Sequence, residues 1–210
     1  MSLLIHKPPH TAIPENLIRA ISSRNPGAWG LMGISEDHRL ILRRSHRADV
    51  DDLLTLTHEL RTAEYVLHLH QRTSEGLNRC NVYPFMIGAG LYLMHSGMLD
   101  LKTRVPGKSD TWHLVHKLLL PLTVHWYSLF VEPSLPPLRA LLENKIGPEN
   151  HVVLLDHPRR QIIVINRGRG IEVEGLWLSN ALGIDTKLFS GRTALLKENY
   201  RILDARFLCT

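Results

Sequence analysis

Two pairs of histidines stand at spacings that could bind a metal ion. His68 and His70 are two residues apart in a segment whose alternation predicts a strand, so they share one face of that strand. His113 and His116 are three apart in a predicted helix. Both spacings occur in metal sites, but no carboxylate completes either set, and 13 histidines make chance pairs common. We therefore predict no metal site and no cofactor.

The basic residues give only a weak indication of a nucleic-acid partner. The formal net charge is +5 at pH 7, which favours anionic partners in general. The densest basic group, Arg43–Arg47, is short, and smaller pairs lie at Arg159–Arg160 and Arg167–Arg169. The 4 tryptophans are too scattered to form a stacking series for single strands. We interpret the charge as a solvated basic surface and keep nucleic-acid binding as a third alternative.

Length and composition predict one globular domain over residues 1–210. Hydrophobic residues make up 44% and charged residues 21% of the chain, which can bury a core without disulfides. Cys80 and Cys209 form no C-x-x-C motif, so we expect free thiols in the cytoplasm. The first apolar run is too short for a signal peptide, and no uncharged run approaches the ~20 residues of a membrane span. We expect no membrane partner.

The elements that must position these residues are short strands and helices in alternation. The predicted strands are Leu3–His6, Gly30–Ile34, Arg39–Arg43, Tyr65–His70, Leu91–His95, Val152–Leu155 and Gln161–Ile165. The predicted helices are Pro14–Ser22, Asp49–Arg61, Ser109–Leu120 and Ser134–Lys145, with Asp49 and Ser109 as capping residues. Hairpins dominate, which predicts an α+β fold with antiparallel sheets and not a doubly wound parallel sheet.

Several short motifs also occur in an order that resembles a known family. They are Ser2 before the first strand, the Arg24–Gly30 loop, His68–Thr73 followed by Asn81–Phe85, Ser96-Gly97 followed by Ser109–Thr111, and Trp177–Asn180. Together they resemble the class-II glutamine amidotransferases, which are N-terminal-nucleophile hydrolases, and in particular the short stand-alone members carried by bacteriophages. The resemblance covers nearly the whole chain. It implies a four-layer αββα sandwich of two antiparallel sheets between helices.

The resemblance implies a nucleophile at residue 2. Removal of Met1 would free an α-amine with a pKa of about 8, which could serve as the base for its own side chain. The family has Cys at this position, whereas this chain has Ser2, whose hydroxyl is far harder to ionise than a thiol. Two other interpretations stay open: Ser2 is an ordinary second residue, or it is an inactivating replacement of Cys.

The resemblance also implies a set of residues that hold glutamine. The arginine that binds the α-carboxylate in the family falls at His70, which offers no bidentate fork and is mostly neutral at pH 7. Arg72 lies two residues along the same face and would compensate in part, and Thr73 matches a threonine that meets the carboxylate. Asp110 matches the aspartate that accepts from the α-amine, in addition to its place in the helix cap.

The oxyanion hole implied by the resemblance consists of Ser96 and Gly97. The family has Asn-Gly here, so Gly97 keeps its backbone N–H while Ser96 offers a donor on a shorter arm. Losing one oxyanion donor costs roughly 2.7–4 kcal/mol of transition-state stabilisation, and losing a charged anchor costs roughly 1.5–3 kcal/mol. Together they predict a deficit on the order of 10³–10⁵ in rate, before any penalty for Ser2.

Three hypotheses of function follow. The first is a degenerate amidotransferase-like domain that binds or inhibits a host or phage protein in the cytoplasm. The second is an active amidohydrolase in which Ser2 attacks a glutamine-like amide, Ser96 and Gly97 hold the oxyanion, and the other matched residues orient the substrate. The third is a nucleic-acid-binding module.

Overall fold

The strands of the computed structural model form two antiparallel sheets, as the hairpin pattern predicts. The structure describes residues 2–25, 27–47, 49–70, 82–100, 105–122, 135–181 and 184. The strands are β1 Leu3–Lys7, β2 Trp29–Ile34, β3 Leu40–Ser45, β4 Glu64–Leu69, β5 Phe85–Gly88, β6 Leu91–Ser96, β7 His151–Asp156, β8 Gln161–Ile165, β9 Ile171–Val173 and β10 Leu176–Leu178. The larger sheet has the order β3-β2-β4-β1-β10-β9, and the smaller has the order β5-β6-β7-β8.

Two of the helices begin directly after the predicted capping residues Asp49 and Ser109. The helices are α1 Glu15–Arg24, α2 Val50–Glu59, α3 Asp110–Leu114, α4 Leu120–Leu122 and α5 Leu135–Ile146, with a π-helical segment Val115–Leu119 between α3 and α4. Asp49 accepts hydrogen bonds from the backbone N–H groups of Asp51 and Asp52, and Ser109 accepts one from Trp112, so both predicted N-caps are confirmed. Within the described ranges, no helix has the length and apolar content that crossing a bilayer demands.

Three apolar clusters determine how the sheets and helices pack. The first lies between the larger sheet and α1 and α2, and includes Leu17, Leu53 and Leu67. The second lies between the two sheets and includes Met94 and Trp177. The third lies between the smaller sheet and α3, the π-helical segment and α5. The fold is therefore α+β, and each sheet packs against helices on one face and against the other sheet on its second face.

The register of β1 brings distant parts of the chain to one end of the larger sheet. β1 lies between β4 and β10, with Leu3 opposite Leu69 and Ile5 opposite Leu178. Because side chains alternate along a strand, Leu4 faces the smaller sheet while Leu3 and Ile5 face the helices. The beginning of β1 therefore lies beside the ends of β4 and β10.

At the other end of β1, the buried Lys7 connects the strand to the end of α2. Its Nζ atom donates to the carbonyl oxygens of Arg61 at 2.7 Å and Ala63 at 2.6 Å, with Leu60 at 3.4 Å. It also lies 5.0 Å from the centre of the Tyr65 ring. Burial lowers the pKa of Lys7 to about 8, and the negative charge of Glu64 opposes that shift. Lys7 therefore supplies donors to carbonyls at and beyond the end of α2.

We expect the substitution Lys7→Met to lower the free energy of unfolding by roughly 1–3 kcal/mol, because buried carbonyl oxygens lose their donor. The measurement is urea denaturation at neutral pH. Lys145→Met is the matched control, since Lys145 is exposed on α5. Equal effects of the two substitutions would contradict the role assigned to Lys7.

Candidate functional site

Three serine hydroxyls meet where β1 begins and where β6 and β10 end. Ser96 Oγ lies at the centre, 3.1 Å from Ser2 Oγ and 3.4 Å from Ser179 Oγ. Ser96 Oγ donates to the carbonyl oxygen of Ser2 at 2.8 Å, and Asn180 Nδ2 donates to the same oxygen at 3.0 Å. We call Ser2, Ser96, Ser179 and Asn180 the serine cluster. It connects the larger sheet to the smaller one.

The strand pairing positions the serine cluster. Ser179 follows β10 and extends its pairing with β1: its N–H donates to the carbonyl oxygen of Leu4 at 2.9 Å, and its Oγ accepts from the N–H of Leu4 at 3.0 Å. Ser96 and Ser179 are buried, at 3% and 2% exposure, whereas Ser2 keeps partial exposure. Among the three serines, Ser2 is therefore the one that a ligand could reach.

The direction of these hydrogen bonds limits their chemistry. A hydroxyl has one proton, and Ser96 uses its proton on the Ser2 carbonyl, so its oxygen accepts the hydroxyl proton of Ser2. Among the described side chains, no imidazole or carboxylate forms a hydrogen bond with Ser2 Oγ. A hydroxyl is a weak nucleophile unless a base takes its proton, and Ser96 is not such a base.

Position 97 requires glycine because of its backbone conformation and because a side chain there would collide with Asn150. Its φ angle is +129°, which side chains rarely adopt. A Cβ atom at this position would lie 2.1 Å from Oδ1 of Asn150, far inside van der Waals contact. The turn after Ser96 therefore approaches Asn150 as closely as only glycine permits.

Behind this turn, a buried chain of hydrogen bonds runs from Asn150 to Tyr83. Asn150 Nδ2 donates to the carbonyl oxygen of Ile146 at 2.7 Å, so its Oδ1 accepts from His95 Nε2 at 3.0 Å. Burial lowers the pKa of His95, although Asp110 and the bond to Asn150 oppose the shift, so its ring is neutral and Nδ1 accepts. Thr111 Oγ1 donates to Nδ1 at 2.9 Å and accepts from the Tyr83 hydroxyl. We call this the polar chain.

The structure describes two of the predicted substrate-binding residues, His70 and Asp110. The charge of Asp110 affects the pKa of His70. Burial lowers the pKa of His70, the amino terminus adds to that shift, and Asp110 opposes it. Asp110 is engaged by the backbone, since its Oδ2 accepts from the N–H of Leu99 at 2.9 Å and its Oδ1 from that of Thr111 at 2.7 Å. Asp110 thus stabilises the start of α3.

The structure brings together part of the predicted site and adds residues that the motifs did not assign. Ser2 and Ser96 are in contact, and Gly97 follows directly. Arg72 and Thr73 lie outside the described residues. The unassigned contributors are Ser179, Asn180, His95, Thr111 and Asn150. The Trp177–Asn180 motif was a signal for the first two of these, whereas the role of Asn150 depends on a tertiary contact.

The prediction of no metal site was made for two histidine pairs, and their surroundings in the structure differ. His113 Nε2 accepts from the N–H of Val105 at 3.0 Å, and His116 Nδ1 donates to the carbonyl oxygen of Trp112 at 2.9 Å. In the part of the chain that the structure describes, no group of three or more His, Cys, Asp or Glu side chains could hold a metal ion.

A surface depression of about 460 Å³ lies away from the serine cluster. It is lined by the turn between β2 and β3 and by the end of α2, including Glu36, Asp37 and Glu59. Since β2 begins beside the end of β4, this turn lies at the opposite end of the larger sheet. The depression is therefore no part of the candidate site.

Comparisons with known proteins assign no family to the chain. No protein-family model matches it, and a search of curated proteins finds no match. The functional interpretation therefore depends on the residues and their geometry.

We expect Gly97→Ala to lower the free energy of unfolding by roughly 1–3 kcal/mol more than Gly107→Ala, because only the first displaces Asn150 from its buried hydrogen bonds. Gly107 also has a positive φ, of +74°, but its Cβ would meet no atom within 4 Å. Urea denaturation of both variants measures the difference. Equal losses would mean that Asn150 moves aside freely.

A second prediction concerns His151, which lies opposite Ser96 and 5.5 Å from the Trp177 ring, centre to centre. Burial lowers its pKa from 6.5 to about 4, and His95 adds to the shift. Between those values the unfolded chain holds a proton that the folded chain lacks, so stability falls as the pH is lowered.

Wild type should therefore lose stability more steeply than His151→Gln between about pH 6.5 and 4, by up to about 1.4 kcal/mol per pH unit. Urea denaturation across this range measures both slopes. Identical slopes would show that His151 takes up no proton on unfolding.

Proposed function

We propose that the chain is a degenerate glutamine amidotransferase-like domain of the N-terminal-nucleophile type, with the four-layer αββα arrangement. It acts by binding a host or phage protein, and it does not hydrolyse glutamine efficiently. Two antiparallel sheets that share an apolar cluster, each with helices on its other face, support the proposed architecture. The position of Ser2 at the start of a central strand supports it further.

The proposed lack of efficient glutamine hydrolysis rests on the hydrogen bond from Ser96 to the Ser2 carbonyl oxygen. An oxyanion hole needs donors that are aimed at the developing charge before the reaction begins. Ser96 stands where the resemblance implies such a donor, yet its proton is committed to the backbone at 2.8 Å. Turning this proton towards a substrate would break a largely buried bond, which costs roughly 1–3 kcal/mol.

The substrate-holding residues also support a weak glutaminase. A carboxylate anchor needs a cation, and burial keeps the pKa of His70 below its usual value, so its ring is neutral at pH 7. Asp110, the implied acceptor for the α-amine, already accepts two backbone N–H groups. The α-carboxylate of a glutamine would therefore meet an uncharged ring, and its α-amine would meet a carboxyl group that already accepts two backbone N–H groups.

An active amidohydrolase is the second candidate, and one observation favours it. Ser2 is partly exposed and directly contacts Ser96, as a nucleophile beside its oxyanion donor would be. Removal of Met1 would give residue 2 its own α-amine as a base, with a pKa of about 8.

Ammonia release from glutamine by the purified chain distinguishes the two candidates. We expect wild type and Ser2→Ala to release ammonia at the same background rate, because no efficient nucleophile is lost. Intact-mass measurement of the same sample records whether Met1 has been removed. Glutamine hydrolysis by wild type that is abolished in Ser2→Ala would overturn the proposal in favour of the amidohydrolase.

Restoration of the family's residues tests whether the architecture is that of a glutaminase. The variant Ser2→Cys/His70→Arg/Ser96→Asn should release ammonia faster than wild type by on the order of 10³-fold or more. The control carries Ala at position 2 with the same changes at 70 and 96. An equal rate for the two variants would count against the architecture.

The binding half of the proposal needs a separate measurement. We expect the tagged chain to retain a partner at a one-to-one ratio from an extract of its native cell, equally in wild type and Ser2→Ala. Loss of the partner in Ser2→Ala would contradict a binding role independent of the nucleophile, and so would the absence of a partner.

A further inference from the structure

His68 carries a buried ring nitrogen that has no partner. The residue lies on β4, faces the smaller sheet and is 1% exposed. The backbone of His95 forms a hydrogen bond with its ring, whereas Nε2 has no partner among the described atoms. Because the bonded nitrogen is therefore Nδ1, which donates its proton to a carbonyl, Nε2 is left with a free lone pair.

His70 presents a second buried ring nitrogen without a described partner on the same side of the strand. Its N–H donates to the carbonyl oxygen of Ala28 at 2.9 Å, which continues the pairing of β4 with β2 and keeps its side chain on the face of His68. The two ring centres are 5.8 Å apart, with 35° between the ring planes. Nδ1 of His70 is buried and has no partner in the described part of the chain.

Unpartnered polar atoms in a protein interior are exceptional and need a reason. Each carries a cost of desolvation that a partner would offset. Burial also lowers the pKa of both rings, so both are neutral at pH 7. A neutral imidazole with a free lone pair is the form that binds a metal ion.

The spacing of the rings matches a shared metal ion. Bonds of about 2.0–2.1 Å from two imidazoles to one ion would place the ring centres roughly 5–6.5 Å apart, and the observed 5.8 Å lies inside this interval. We propose that His68 Nε2 and His70 Nδ1 together bind one divalent first-row transition-metal ion. The described ranges supply no third His, Cys, Asp or Glu ligand for such an ion.

The surroundings orient one of the two ligands. The His95 backbone holds the His68 ring in one tautomer, which is the outer-shell arrangement usual for metal-binding histidines. The Tyr83 ring packs 4.2 Å from the His68 ring, centre to centre. The negative charge of Asp110 acts on His70, although the amino terminus acts in the opposite direction. None of these contacts involves Ser2, so the metal site does not depend on the proposed function.

The second histidine pair provides a matched comparison within the same chain. His113 and His116 also have a spacing that suits metal ions, but His113 Nε2 accepts a backbone N–H and His116 Nδ1 donates to a backbone carbonyl. His116 is exposed, so its substitution should leave the fold intact. Comparing metal binding by the two pairs therefore distinguishes the effect of free lone pairs from the effect of histidine spacing alone.

Copper(II) is the probe, because it binds nitrogen ligands most strongly among these divalent ions. The full chain, with its thiols alkylated, is equilibrated with copper(II) and excess glycine, which removes ions from weak surface sites. We expect one ion to remain per chain, with electron paramagnetic resonance coupling to imidazole nitrogen. His70→Asn and His68→Asn should weaken binding by at least about 10–100-fold, whereas His116→Asn should not.

Retention of the ion by His70→Asn with wild-type affinity would overturn the proposal, and so would a wild-type chain that retains no ion. His70 is partly exposed, so this variant decides the question even if the buried His68→Asn fails to fold.

Discussion

The pairing of β1 between β4 and β10 is the constraint on which the candidate site depends. It places Ser2 at the end of a central strand and brings Ser179 and Asn180 beside it from more than 170 residues away in the chain. A slip of one residue in this register would turn Leu4 and Ser2 towards the helices and separate Ser2 from Ser96. Both faces of β1 are buried, so such a slip would also exchange the side chains that pack against the helices for those that pack against the smaller sheet.

The smaller sheet contributes the other half of the site, and the polar chain holds that half in place. The chain runs from Tyr83 through Thr111 and His95 to Asn150, and it ends at a carbonyl of α5. It therefore connects the end of β6 to the helices that cover it. With every internal donor matched to an acceptor, such a network is rigid and permits one arrangement of the turn at Gly97.

Local signals in the sequence predicted much of the fold, and tertiary contacts account for what it missed. The N-caps at Asp49 and Ser109 and most strands were predicted because capping and alternation act over a few residues. Strand β5 was missed because it is four residues long and its register with β6 shifts before Gly88. The helix from Ser109 was predicted as continuous, but it contains a π-helical segment that ends two residues before Pro121, whose missing N–H interrupts the regular pattern.

The candidate site was predicted in part for the same reason. Ser2, Ser96 and Gly97 were identified by the order of their motifs, and the structure brings the two serines into contact. The residue types alone do not show that Ser96 donates its proton to the Ser2 carbonyl oxygen, or that ring nitrogens of His68 and His70 have no described partner. Both features depend on which backbone groups approach each side chain.

The central position of β1 also has a consequence for biosynthesis. Strand β1 acquires its β10 neighbour only after residue 178 has been translated. Until then the β1 edge that β10 will cover exposes unpaired backbone groups, which are prone to pair with other chains. Closure of the larger sheet is therefore a late folding event, and a chaperone that shields this edge would be needed most by nascent chains and least by the finished protein.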